Sequence, residues 1–115
     1  MRPITACGAL CVVGAMACGA SVPPPNDSWA AAQADVGRAQ SGGAPENPDA
    51  KLHLQLAQED LQKAKQLIGE DNRRATTLSE LARVEAQLAL SLAKDASSQV
   101  EATKAQSDLQ KASAK

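Results

Sequence analysis

Residues 47–69 read NPDAKLHLQLAQEDLQKAKQLIG, and their spacing decides the fold. Ala50, Leu54, Ala57, Leu61, Ala64 and Ile68 recur at steps of four and three, the period of one face of an α-helix. Small and bulky side chains alternate along that face, as in a closely packed helix seam. Asn47 is a good N-cap, Pro48 suits the first helical position, and Asp49 carries negative charge at the positive end of the helix. Gly69 suits the C′ position just beyond the helix. Leu52, Leu56 and Leu67 widen the apolar face, so this helix is expected to touch more than one neighbour. The abundant alanine suits helices packed close together, with about eight to ten leucines of the chain also expected to be buried.

Downstream, Glu70 and Asp71 are expected to form a tight turn, with Asp71 or Asn72 as the next N-cap. Thr77 and Glu80 form an alternative capping box that would start the helix later. No Pro or Gly follows Asn72. Ala82, Ala86, Ala89, Ala93, Ala96 and Val100 make an alanine ribbon, edged by Leu78, Leu81, Leu88 and Leu92. Ala102, Ala105, Leu109 and Ala112 form a second stripe with its phase shifted. The pattern predicts a helix of about 40 residues, some 60 Å long. An antiparallel hairpin with the shorter helix can cover it only to Leu92 or Ala96. The remainder is expected either to fray or to extend as a coiled coil toward a partner.

Upstream, Trp29, Ala32, Val36 and Ala39 share a face of a short helix expected to start after Asp27 or Ser28. Ser41-Gly42-Gly43 should end it, Gly37 weakens its middle, and residues 44–47 read as a loop. Trp29 is expected to bury against a neighbouring helix in preference to marking a membrane interface. The fold class is therefore all-α: a short helix plus an antiparallel helical hairpin whose C-terminal helix is long enough for coiled-coil extension. Residues 28–98 would form the three-helix domain, and 99–115 the helical extension or frayed tail.

The first residues carry a different message. Arg2 is a short basic region, residues 4–16 are uncharged, and Ala15 and Ala17 place small side chains before Cys18. This is the layout of a secretory signal over residues 1–17. Its apolar run is shorter than the roughly 20 residues a membrane-spanning helix needs. Cleavage there by the general signal peptidase would leave Cys18 an ordinary first residue. A small residue directly before cysteine also resembles the lipobox of bacterial lipoproteins, which implies lipidation at Cys18 with acyl chains of the palmitate kind. All three cysteines, Cys7, Cys11 and Cys18, lie within this region, so one thiol would survive cleavage and no internal disulfide could form. Residues 18–27, with Pro23-Pro24-Pro25, read as an extended tether.

Composition narrows the function. The 115-residue chain has no Phe or Tyr, one Trp and a formal net charge of −1. Without clustered Lys and Arg it is a poor nucleic-acid binder. His53, the only histidine, reads as a surface or boundary residue. Glu59-Asp60 and Glu70-Asp71 read as solvated charges. No catalytic constellation, metal-ligand spacing, cofactor motif or small-molecule site is apparent, and enzyme activity is not expected.

From Trp29 to Ser97 the chain resembles the small alanine-rich helical domain of bacterial envelope lipoproteins of undefined function. The resemblance rests on Ala57, Ala64, the turn Gly69-Glu70-Asp71, and Ala75, Ala82, Ala86, Ala89 and Ala93. Some relatives carry an OmpA-like peptidoglycan-binding domain after the helices. The resemblance implies a periplasm-facing lipid anchor in the outer membrane, and Gly19 after the cysteine agrees with outer-membrane sorting. The expected role is structural or interactive, through an envelope protein partner or self-association along helix 72–115. A soluble periplasmic adaptor or chaperone-like binder is the alternative.

Overall fold

The computed structural model describes residues 21–114, so the expected signal over 1–17 and Cys18 lie outside the described residues. Three α-helices follow in order: α1 (Asn26–Ser41), α2 (Pro48–Leu67) and α3 (Asn72–Ser113). The all-α expectation holds, including the long third helix.

Helix α1 starts earlier than Asp27 or Ser28 suggested. Pro25 occupies the N-cap without a side-chain hydrogen bond, and its carbonyl accepts from Trp29 N at 2.9 Å. Asp27 and Ser28 instead fall in the first turn, where the Asp27 charge meets the positive end of the helix. At the other end Gly42 N donates to Arg38 O at 2.9 Å, and Gly43 turns the chain with φ 92°. Residues 44–47 are not a plain loop. Ala44–Glu46 form one 3₁₀ turn, and Ala44 is buried against the helices.

Helix α2 begins as its sequence predicts, with Asn47 Oδ1 accepting from Ala50 N at 2.9 Å. Its last helical residue is Leu67, with Ile68 as C-cap and Gly69 at the expected C′ position. Ile68 is extended (φ −62°, ψ 121°) and Gly69 has φ 91°, while Glu70 N donates to Leu67 O at 3.0 Å. These angles are those of a type II turn over Leu67–Glu70, which needs positive φ at its third residue and hence glycine. Asp71 then caps α3 through Arg74 N at 3.0 Å, so the later start at Thr77 is not used.

Three cross-contacts set the layout. Trp29, early in α1, meets Leu61 late in α2. Asp35, midway along α1, meets Arg83 and Gln87 of α3. Gly42, just past α1, sits against Leu90. Thus α1 runs antiparallel to α2 and parallel to α3, and α3 continues past both.

The core differs from expectation in what fills it. Among the buried apolar residues, all but Val36 and Leu54 are alanine. Leu61, expected in the seam, packs at its rim with Leu90 and Leu92. Leu52, Leu56, Leu81 and Leu88 are exposed. The cause is geometric. Alanine at the contact positions lets the helix backbones approach closely, and the next residues outward then flank the seam instead of entering it. Ser79 is buried in the alanine ribbon, and its hydroxyl donates to Ala75 O at 2.9 Å, so no polar group there is left unpaired.

Candidate functional site

The sequence nominated one site residue, Cys18, and it lies outside the described residues. The described residues begin at Ser21. Asn72 Nδ2 donates to Val22 O at 2.7 Å while Asn72 Oδ1 accepts from Gly69 N at 2.8 Å. One side chain therefore ties the incoming segment to the α2–α3 turn. The chain enters the folded body at that end, and the free part of α3 points to the other. Pro25 is buried and Ser21 to Pro24 are exposed.

Polar residues at the helix contacts form two groups. Asp35, only 5% exposed, is the first. Its carboxylate accepts from Arg38 one turn on and from Gln87 Nε2 at 3.1 Å, and faces Arg83 Nε at 3.6 Å. Arg83 Nε is itself buried with no hydrogen-bond partner, so the nearby carboxylate is what balances its charge. Arg83 also donates to Glu80 Oε2 at 3.0 Å. The second group joins α2 to α3: His53 Nδ1 lies 2.6 Å from Glu85 Oε2, with both side chains half-buried. His53 is thus a boundary residue, engaged in a cross-helix pair.

Sequence reasoning passed over Asp35. Its signal was present, because Asp35 directly precedes Val36 and borders the apolar face of α1, but its partners on α3 are 48 and 52 residues away. Trp29 behaves as expected. It is half-buried, its Nε1 donates to Leu61 O at 3.3 Å, and Lys65 Nζ stands 5.9 Å from the ring centroid. Glu59 and Asp60 both reach toward Lys63, at 3.8 and 3.4 Å, and Glu70 is exposed beside the capping Asp71. The Asp35 and His53 groups join helices, whereas the Lys63 pairs lie within α2. Asp60 and Lys63 also line, with Arg74, an open hollow of about 420 Å³ between α2 and α3.

Among the described residues, two surfaces stand out as open to partners. One is an open hollow of about 670 Å³ where α3 leaves the bundle, lined by Gly43, Asn47, Pro48, Ala96, Val100 and Lys104. The other is the outward face of α3 with the adjoining edge of α2. Exposed there are Leu52 and Leu56 of α2 and Leu81, Val84 and Leu88 of α3, with Leu109 farther along. Among the described residues no helix is long and apolar enough to cross a membrane, and no group of His, Cys, Asp and Glu is arranged to hold a metal ion.

Residues 27–105 match a protein family described as a domain of unknown function, DUF4398. The matched span starts within the first turn of α1 and runs through the bundle into the free part of α3. Neither the curated proteins nor the solved structures contain a match.

Proposed function

Since the chain belongs to this family of undefined function, we propose its role from its own residues: a lipid-anchored cell-envelope protein with a structural or protein-interaction task. The observation that carries the reading is the placement of Val22 at one end of the body and of the free part of α3 at the other. Val22 is tied to the α2–α3 turn, so a lipid on Cys18 would enter at that end of the body. The opposite end and the back of α3 then stay free for a protein partner. A thioether diacylglycerol plus an amide-linked acyl chain carries far more buried CH₂ than stable anchoring requires, at about 0.8 kcal/mol each. The outer membrane, facing the periplasm, is the proposed location, on the strength of Gly19 after Cys18.

The interaction role follows from where the leucines stand. A chain that packs its core with alanine and leaves Leu52, Leu56, Leu81 and Leu88 in water has apolar surface to offer another protein. The same side chains favour the alternative, a soluble periplasmic adaptor or chaperone-like binder. Mass spectrometry of the mature amino terminus separates the two. Diacylated and acylated Cys18 is expected for the anchored protein, with loss from the membrane fraction on Cys18→Ser. An unmodified amino-terminal cysteine would leave the soluble adaptor as the reading.

A further inference from the structure

The side of α3 turned away from α1 and α2 carries a repeat of its own. Leu81, Val84 and Leu88 stand on the bundle-backed half at steps of three and four. The same alternating steps pass through the polar Ser91, Asp95 and Ser98 to Ala102, Ala105, Leu109 and Ala112 on the free half. This is uninterrupted heptad spacing over about 46 Å of helix. All of these residues are exposed, Val84 at 60% and Leu109 at 71%. The buried ribbon of Ala82, Ala86, Ala89 and Ala93 occupies the other side of the same helix. A single α3 thus has two seams, one filled by its own chain and one bare.

We infer that a second copy of this chain fills the bare seam, with the two α3 helices antiparallel about a two-fold axis between Asp95 and Ser98. In that register Leu81 faces Ala112 of the second copy, Val84 faces Leu109, and Leu88 faces Ala105. Two of these three layers set a leucine against an alanine, the size matching that lets a seam close without voids. Ser91 faces Ala102, and Asp95 faces Ser98, whose hydroxyl can donate to the carboxylate. Beside the axis Lys94 lies next to Glu101 of the second copy, and symmetry makes the pair twice.

The parallel arrangement is worse on the same residues. It sets Asp95 against its own copy within the seam, and Glu80 beside Glu85 along the flank. Charge therefore selects the antiparallel pair. In this pair the free half of each α3 covers the exposed Leu81, Val84 and Leu88 of the other copy. Each covered helix keeps its bundle on the far side, so the two bundles do not collide. The two α2–α3 turns end up roughly 80 Å apart at opposite ends of the rod. Two lipid anchors on such a pair reach one membrane only when the rod lies along it.

This inference deepens the interaction role proposed above and rests on it, but it is independent of the lipid. The test uses the full chain with Cys7, Cys11 and Cys18 changed to Ser, carrying either Val84→Cys or Leu109→Cys. Under mild oxidation the mixture of the two variants is expected to give a disulfide-linked dimer, whereas neither variant alone does. Cross-linking of Val84→Cys with itself would mean a parallel pair and overturn the inference. Absence of cross-linking in every sample would overturn it as well. As a measurement that needs no cysteine, sedimentation equilibrium should show a dimer that Leu88→Asp weakens at least about tenfold, the effect of one unpaired charge in a seam. A monomer before that substitution would also overturn the pair. Because position 18 is serine throughout, a failure here leaves the anchoring test untouched, and a failure there leaves this one standing.

Discussion

Helix α3 can be divided at Ala93 into two halves that differ in surroundings and in leucine content, five in the first and Leu109 alone in the second. Both are rich in alanine and free of Gly and Pro, and the helix runs unbroken through both. From Asn72 to Ala93 one face is buried under α1 and α2. Beyond Ala93 every described residue except Ala96 and Ser107 is exposed, and those two are half-buried. The difference lies in the length of the neighbours. Helix α2 has 20 residues against 42 in α3, so it runs out of reach near the point where its own Asn47 cap begins. Helix formation in the free half rests on local propensity, whereas the packed half is also held by its seam.

That contrast can be broken at the packed half with the largest effect. Ala86 is fully buried between helices, so Ala86→Asp places a charge in a dry seam with no partner. A loss of at least about 4 kcal/mol is expected, read as collapse of the thermal transition by circular dichroism. Gly42→Ala comes next. A Cβ there would lie 2.3 Å from Leu90 Cδ1 and 2.9 Å from the Arg38 backbone carbonyl. The leucine tip can move but the carbonyl belongs to the last turn of α1, so a cost of about 2–3 kcal/mol is expected in urea unfolding. Asp35→Asn removes the charge that balances buried Arg83 Nε while preserving shape. It should cost about 2 kcal/mol, and pairing it with Arg83→Met in a double-mutant cycle should recover part of the loss. The smallest effect belongs to the free half. Measured at a dilution where copies do not pair, Thr103→Pro should change the bundle's unfolding free energy by no more than about 0.5 kcal/mol while lowering the helical signal. A large drop in stability under that condition would show that the free half packs against its own chain.

How much of this could be read along the chain depends on the range of the interaction concerned. The caps at Asn47 and Asp71 and the glycine turn at Gly69 involve residues within a few positions of one another, and all three were legible. The extent of α3 was legible too, because nothing in it breaks a helix. The start of α1 was misplaced because Asp27 and Ser28 have the chemistry of caps, but Pro25 already sits one turn earlier and supplies the first carbonyl. The candidate site divides in the same way. Cys18 was nominated from its immediate neighbours alone and lies outside the described residues. The Asp35–Arg83–Gln87 cluster and the Asn72–Val22 tie join residues about 50 positions apart, and no local pattern marks them.

Periodicity and capping chemistry, both local, were enough to make this chain three helices with one far longer than the others. They could not say whether leucine or alanine would occupy the contact between helices, since both lie on the same broad apolar face. That choice belonged to the packing. Once the backbones draw together on alanine, room is left for few larger side chains, Val36 and Leu54 among them, and the other leucines stand at the rim or outside it. Only the folded arrangement decided which face of α3 is closed and which remains open to another molecule.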